Sequence, residues 1–482
     1  MQERLVRLFE DHFGHPPAAV VGVAGDGSDR SYRRLLSDDG PSAIGAVGPD
    51  HEENRAFISF TRSFRSIELP VPELYATDED NGVYLMEDLG DSTLFAVLDE
   101  ARDAEGGRFP ASMTSVYRDV IAWLPRFQVE GHRVVDYTAA YPHAEFDRRS
   151  ITWDLNYFKY HFLKLAHVPF HEARLERDFE TLTAVLLGVS REFFLYRDFQ
   201  SRNVMLTANG PRFIDYQGGR RGALPYDVAS LLYDAKAAIP EAVRDELLQH
   251  YLEQLESLIA VDREEFMTAY RGFVVARIAQ ALGAYGYRGF FERKPRFLRS
   301  VPFAARNLAG ILSEGLPAEM PELERVFGRI ADTWGSGSEA SGSQPRLTVY
   351  VRSFSYRRGY PEDRSGHGGG HVFDCRAIPN PGREPEFKLL TGLDERVADH
   401  LRRMREAGEF LDHTSRLTMA QVDEYRRREF DHLSVSYGCT GGQHRSVYFA
   451  ERLAEKLEGS FPDVRVVLEH RERHMWPAAP GG

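Results

Sequence analysis

Apolar positions recur every three to four residues over 2–14, which predicts a short amphipathic helix at the start of the chain. The pattern then changes. Residues 20–23, 32–36, 43–47 and 83–87 are short apolar runs and predict strands, while 52–67, between the last two, returns to helical spacing. From about 93 to 332 helical patterns dominate, interrupted by two short apolar strands at 193–196 and 212–214. The order predicts a small β-rich lobe followed by a helical lobe that carries a hairpin-like pair of strands.

The run Gly335-Ser-Gly-Ser-Glu-Ala-Ser-Gly-Ser-Gln344 offers nothing to bury and reads as a flexible tether. Beyond it, strands at 346–353, 372–374, 433–436 and 464–468 alternate with helices near 394–412, 418–430 and 444–457. That alternation predicts a separate α/β domain with a mostly parallel sheet. The expected divisions are an N-lobe at 1–88, a helical C-lobe at 89–334, a linker at 335–344, the α/β domain at 345–475 and a disordered tail at 476–482.

Composition narrows the classes. The 482 residues are 42% hydrophobic and hold no run of about 18 apolar residues, so no membrane partner or membrane span is expected. The first residues lack the apolar core of a secretory signal. Two cysteines, Cys375 and Cys439, make no disulfide framework, and a cytoplasmic location fits. The net charge of −13 is uneven: residues 345–482 carry +1 and residues 1–344 carry −14. An acidic first part disfavours bulk nucleic-acid binding there and suits cationic or neutral polar substrates and metal ions. The later part is rich in Arg, the side chain for forked recognition of phosphate or carboxylate, and has only Lys388 and Lys456 as lysines.

The densest chemistry is Phe194-Leu-Tyr-Arg-Asp198-Phe-Gln-Ser-Arg-Asn203-Val-Met, followed by Phe213-Ile-Asp215-Tyr-Gln-Gly218. Phosphoryl transfer asks a protein for placement and charge neutralisation more than for covalent help. Asp198 can accept a proton from a substrate hydroxyl. Asn203 on the same loop, and Asp215 at the end of the next strand, can reach a shared metal ion. Taken singly, each is an ordinary turn residue; their joint spacing at strand ends points to catalysis.

These residues resemble the aminoglycoside phosphotransferase/choline kinase superfamily, within it the anomeric kinases of N-acetylmuramate and N-acetylglucosamine. Further matching pieces are Gly25-Asp-Gly-Ser-Asp-Arg-Ser-Tyr-Arg33, Tyr84-Leu-Met-Glu-Asp-Leu-Gly90 and Pro225-Tyr-Asp-Val-Ala-Ser-Leu-Leu232. The resemblance implies a bilobal α+β protein-kinase-like fold with ATP and Mg²⁺ as cofactors. It implies Asp198 as base, Asn203 and Asp215 as metal ligands, and a loop containing Gly25, Asp26, Gly27, Ser28 and Arg33 over the phosphates. Glu87 and Leu89 become the adenine hinge. Two departures stand out. Tyr196 replaces a histidine common two residues before the base, and no lysine precedes Lys159, so the strand lysine of the superfamily is missing. Arg30, Arg33 and Arg34 are the candidate replacements. Asp227 is expected to brace the catalytic loop, Asp88 and Asp91 to cap a helix, and Trp153, Tyr157 and Phe158 to be core aromatics or a sugar platform.

In the last third, Leu433-Ser-Val-Ser-Tyr-Gly438-Cys-Thr-Gly-Gly-Gln-His-Arg445-Ser446 runs from a strand through a Gly-rich turn into a helix. Converging N–H groups and a helix N-terminus suit an anion. Gly438, Thr440, Gly441, Gly442, His444, Arg445 and Ser446 are its expected contacts, with Arg357 and Arg376 as companions. Cys439-x5-Arg445-Ser446 also fits a cysteine-phosphatase signature, although Gly438 stands where that signature has histidine. Residues 346–474 as a whole resemble the C-terminal domain of the RNase adapter protein RapZ, through Ser353-Phe-Ser-Tyr-Arg-Arg-Gly359, the 372–381 segment and His470-Arg-Glu472. That resemblance implies a small RNA and a phosphorylated amino sugar as ligands; RNA, with a charge of only +1, is not favoured, and a phosphosugar or nucleotide sugar is the expected ligand. The combined expectation is an ATP-dependent kinase of a sugar hydroxyl, at the anomeric position of an N-acetylated amino sugar from cell-wall recycling, joined to a sensing domain. The alternatives are an aminoglycoside-type phosphotransferase and a non-catalytic RNA or protein adapter with a degenerate kinase lobe.

Overall fold

The computed structural model describes residues 2–23, 30–38, 40–335, 347–361, 370–427, 430 and 432–476. The chain divides into two compact units, with the main boundary between Ser341 and Gly342. The expected linker and terminal tail lie almost wholly outside the described residues.

In the first unit, α1 (Gln2–Phe13) places Leu5 and Phe9 on a five-stranded antiparallel sheet. The strands are β1 (Ala19–Val23), β2 (Ser31–Leu36), β3 (Ala43–Val47), β4 (Leu74–Asp78) and β5 (Val83–Glu87), in the order β1-β2-β3-β5-β4. Strand β4 was not anticipated: Leu-Tyr-Ala-Thr-Asp has no clean alternation, and all five residues are half-buried. The other face of the sheet is covered by α2 (His51–Ser66), whose Ala56, Phe57, Phe60 and Phe64 join Ala46 and Tyr84 in the main core. Asp50 caps α2, accepting the N–H groups of Glu52 and Glu53 at 3.0 and 3.1 Å, and so fixes Glu53 in the first turn.

The helical lobe contains α3 (Leu94–Ala104), α4 (Ala111–Ile121), the single turn α5 (His132–Val134), α6 (Arg148–Phe158) and α7 (Glu172–Leu187) before the strands. After them come α8 (Pro225–Leu232), α9 (Glu241–Glu256), the 24-residue α10 (Arg263–Gly286), α11 (Val301–Glu314) and α12 (Pro321–Ile330). The strand pairing differs from the expected hairpin. Strand β6 (Phe193–Leu195) pairs with β9 (Arg220–Gly222), while β7 (Val204–Thr207) and β8 (Gly210–Phe213) form the hairpin, with Val204 opposite Phe213. Both unanticipated strands are short, and β9, Arg-Arg-Gly, is polar, so its pairing with β6 is a tertiary decision.

The second unit is a four-stranded, fully parallel sheet in the order β11-β12-β10-β13, as expected of its alternating pattern. Its strands are β10 (Leu347–Ser355), β11 (His371–Asp374), β12 (His432–Cys439) and β13 (Val464–His470), with helices α13 (Glu395–Arg402), α14 (Arg405–Arg427) and α15 (Arg445–Ser460). The helix boundaries correct the expected ones: one helix ends at Arg402, and α14 runs unbroken through 413–417, where a gap was expected. The polar stretch His413-Thr-Ser-Arg416 is compatible with helix because Thr414 turns its hydroxyl back onto the Phe410 carbonyl at 2.9 Å.

Candidate phosphotransfer site and second-unit loop

The loop between β6 and β7 is held from behind. Asp227, fully buried on α8, accepts the N–H of Tyr196 at 2.8 Å and of Arg197 at 2.9 Å. Tyr196 donates its hydroxyl to the Ile214 carbonyl at 2.6 Å, tying this loop to the residue before Asp215. Arg197 forks onto Asp154 at 2.7 and 2.8 Å. These bonds hold Arg197 at φ 81° and Asp215 at φ 69°, left-handed conformations that non-glycine residues adopt at a cost. Asp198 stands between these anchors. Its carboxylate is half-buried and takes no hydrogen bond from any described residue, which leaves it open to a substrate hydroxyl.

Asn203 closes the arrangement. Its Nδ2 donates to the Asp198 carbonyl and to Asp215 Oδ2, both at 2.9 Å, and its Oδ1 accepts nothing among the described residues. Gln217 donates to the other Asp215 oxygen at 2.7 Å and lies 3.4 Å from Glu53. Burial, and next the charge of Asp198, push the Asp215 carboxyl up to about 6. A carboxylate so destabilised by desolvation and a like charge favours a cation beside it. Among the described residues no three His, Cys, Asp or Glu side chains form a metal cage. One carboxylate and one amide oxygen match the sparse hard-oxygen set that Mg²⁺ takes when phosphates complete its shell.

Of the other expected nucleotide contacts, Gly25, Asp26, Gly27 and Ser28 lie outside the described residues. Arg33 is exposed, and its Nη1 passes over Gly22, 3.0 Å from where a Cβ would stand. By strand alternation it points to the face opposite Tyr32 and Arg34. Glu87 is half-buried and accepts the Glu73 N–H at 3.1 Å; Leu89 is half-buried beside it. Asp88 and Asp91 are not helix caps: Thr93 caps α3, and both aspartates clamp Arg34, Asp88 at 2.7 and 3.0 Å. Phe158 is core, whereas Trp153 is 50% exposed. Glu53, Gln217 and Asp154 were missed by sequence reasoning. Only Glu53 left a signal, standing three residues after the Asp50 cap.

In the second unit the Gly-rich turn sits at the carboxyl end of β12. Chain connections leave β10 and β12 toward opposite edges of the sheet there, the usual place for a ligand crevice. Cys439 Sγ lies 3.2 Å from the Gly442 N–H and 3.1 Å from the Ser446 hydroxyl. Ser355 Oγ donates to the Thr440 carbonyl at 2.8 Å, and Gly442 adopts φ 69°. The charged residues are engaged elsewhere. Arg445 Nη1 reaches the carbonyls of Ile378, Arg376 and Cys375 at 2.6, 3.2 and 3.4 Å, and is first of all a brace for that turn. His444 is buried against the Phe387 carbonyl at 2.9 Å. Arg376 pairs with Asp374 and lies over the Tyr356 ring, and Arg357 is exposed. Gly441 and Gly438 line the turn itself, where a Cβ on Gly438 would meet the Phe354 and Tyr356 rings at 2.5 Å.

An antiparallel sheet with a helix on each face, set on a helical lobe whose loop and hairpin present Asp198, Asn203 and Asp215 together, is a small-molecule kinase fold. Residues 19–264, just over half of the chain, match the phosphotransferase enzyme family, and the protein belongs to it. Residues 347–474 match the RapZ C-terminal domain. A nucleotide-binding protein of Fusobacterium nucleatum is 30% identical over 213 residues, 42% of this chain and 70% of that one. Another, from Thermobifida fusca, is 30% identical over 268 residues, 54% of this chain and 83% of its own. Nucleotide-binding proteins of Albidiferax ferrireducens and of Acidovorax sp. are matched over 43% and 42% of their length. Among solved structures, an amicoumacin kinase in complex with AMP-PNP and Ca²⁺ aligns over 69% of this chain and 95% of its own, at 12% identity and TM-score 0.41. No helix among the described residues is long and apolar enough to cross a membrane.

Proposed function

We propose that this protein uses ATP to phosphorylate a sugar hydroxyl, at the anomeric position of an N-acetylmuramate- or N-acetylglucosamine-type sugar. The observation that carries the reading is the meeting of Asp198, Asn203 and Asp215 at the ends of β6 and β8. Asp198 accepts the proton of the attacking hydroxyl, and its half-buried carboxylate, which takes no hydrogen bond from any described residue, needs no rearrangement to do so. Asn203 and Asp215 would hold the ion, with Gln217, which donates to Asp215 at 2.7 Å, keeping that carboxylate in place. Mg²⁺ bound there would offset the negative charge of the β- and γ-phosphates. Tyr196 and Asp227 fix the loop, so positioning is built before substrate arrives.

The −14 charge of the first 344 residues favours a second reading, an aminoglycoside-like cationic acceptor. Close to the base the charges are mixed: Arg197, Arg220 and Arg277 lie within electrostatic reach of Asp198, and Arg197 is forked onto Asp154. A neutral sugar and a cationic acceptor are therefore separated by the assay below. In the same proposal the Gly438–Ser446 turn binds a phosphosugar or nucleotide sugar through its N–H groups and couples precursor level to kinase output. An ATP-coupled assay against N-acetylhexosamines and kanamycin-type compounds, with phosphorus NMR of the product, tests the kinase part. Turnover on no sugar, or turnover unaltered in Asp198→Ala, refutes it.

A further inference from the structure

Helix α6 turns a large aromatic side chain outward beside the catalytic loop. Its Ile151, Leu155 and Phe158 are buried in the main core, whereas Trp153 is 50% exposed. The His143 ring backs the indole, with centroids 5.2 Å apart and planes 34° from parallel. His143 Nε2 is enclosed there and has no hydrogen-bond partner among the described residues. The bare part of Trp153 is thus a flat apolar face held in one orientation.

Two tethers fix these rings to the phosphotransfer site. Trp153 directly precedes Asp154, which takes the fork of Arg197, and Arg197 directly precedes Asp198. On the other side, Arg220 donates to the Tyr141 carbonyl at 3.3 Å, two residues before His143, and to the Gly218 carbonyl at 3.0 Å, three residues after Asp215. Arg221 pins the same segment onto β9, its N–H on the Ala144 carbonyl at 2.9 Å and its carbonyl on the Phe146 N–H at 2.7 Å. Tyr141 also reaches Asp50, the cap of α2, and its hydroxyl holds that carboxyl below the usual range. The rings therefore stand between the sheet lobe and the helical lobe, within two side chains of Asp198. Other aromatic side chains near the base do not offer such a face. Tyr196 and Tyr226 are buried, and exposed Tyr160 carries the Lys159 and Lys164 ammonium groups over its ring at 4.6 and 4.8 Å.

Charge beside the indole narrows the ligand. Arg149 stands four residues before Trp153, so the two are neighbours along one side of α6. Asp147 caps that helix through the Ser150 N–H at 2.9 Å and fixes the turn that bears Arg149. Arg149 is exposed and makes no hydrogen bond or ion pair with a described residue; Asp147 feels its charge. A guanidinium so placed repels a cationic acceptor and suits a carboxylate.

Resting on the sugar-kinase reading above, we propose that Trp153 and Arg149 form the acceptor subsite, the indole stacking on the ring face of the sugar and the guanidinium taking a carboxylate that the sugar carries. A pyranose has a face of C–H groups that lies flat on an indole, and an open-chain amino alcohol has none. Within the sugars named above, the pair selects the carboxylate-bearing N-acetylmuramate type over N-acetylglucosamine.

The test is steady-state kinetics of the full chain with N-acetylmuramate and N-acetylglucosamine, as wild type, Trp153→Ala, Trp153→Phe and Arg149→Gln. Trp153→Ala raises the KM for both sugars by about tenfold and leaves the KM for ATP unchanged, and Trp153→Phe recovers most of the loss. Arg149→Gln raises the KM for N-acetylmuramate alone, by about three- to tenfold. Tryptophan fluorescence quenched by sugar in the wild type is unresponsive in Trp153→Phe. Sugar KM values unaltered in Trp153→Ala, an equal rise in the KM for ATP, or an equal effect of Arg149→Gln on both sugars overturns the proposal and leaves the kinase reading standing. A wild-type chain that phosphorylates neither sugar overturns both.

Discussion

The side-chain amide of Asn203 donates to Asp215 Oδ2 at 2.9 Å while the same nitrogen holds the Asp198 carbonyl at 2.9 Å. One residue thereby sets the distance between the loop that bears Asp198, the proposed base, and the hairpin end that bears Asp215, the proposed metal ligand. Separate consequences follow for Asp198, for Asp215 and for their support.

Asp198→Asn removes the proton acceptor but keeps the shape of the loop. The expected result is a fall in kcat of about 10² to 10⁴ with nucleotide affinity little changed, measured by steady-state kinetics and calorimetry.

Asp215→Asn takes away the carboxylate of the metal pair while preserving a partner for Asn203 and Gln217. The Mg²⁺ concentration for half-maximal turnover rises by about tenfold or more. A magnesium titration of the purified enzyme reads this directly, and an unchanged midpoint contradicts the assignment.

Asp227→Ala orphans the N–H groups of Tyr196, buried behind the loop, and of Arg197, partly buried there. The cost is about 1–3 kcal/mol for each group, seen as a lower midpoint in thermal unfolding. Turnover falls with it, because Asp198 follows directly in the chain.

Glu472 gives a pH dependence in the second unit. It is 2% exposed, neither oxygen has a hydrogen-bond partner among the described residues, and burial raises its carboxyl above the usual range. A raised folded pKa means stability present below about pH 4, where folded and unfolded forms are both protonated, and lost as pH climbs through the raised value. Glu472→Gln escapes that loss. Calorimetric unfolding of the full chain therefore shows the variant gaining on wild type from pH 5 to pH 8; a gap that is constant over this range contradicts the argument.

Gly438→Ala drives a methyl group into the Phe354 and Tyr356 rings. The overpacking costs about 1–3 kcal/mol, and phosphosugar binding, followed by calorimetry, weakens as the turn is displaced.

Local pattern alone determined a good deal of this protein. The periodicity of 2–14 and 52–67, the apolar strands of the first lobe and the strand–helix alternation after the Gly/Ser run each reflect burial of one face, which sequence spacing records directly. The Asp198, Asn203 and Asp215 spacing was legible for a related reason: loop length limits how far apart their side chains can lie. What packing decided is where chain-distant groups meet. Polar β9 became a strand only because β6 offered an edge, and α14 ran through its polar stretch because Thr414 and Val422 face the core. The pairing of Arg34 with Asp88, of Arg445 with the 375–378 carbonyls and of Arg30 with Glu53 joins residues between 23 and 70 positions apart. A guanidinium is compatible with a phosphate, a carboxylate or a carbonyl alike, so its type in the sequence states a capacity, and only the folded chain selects the partner.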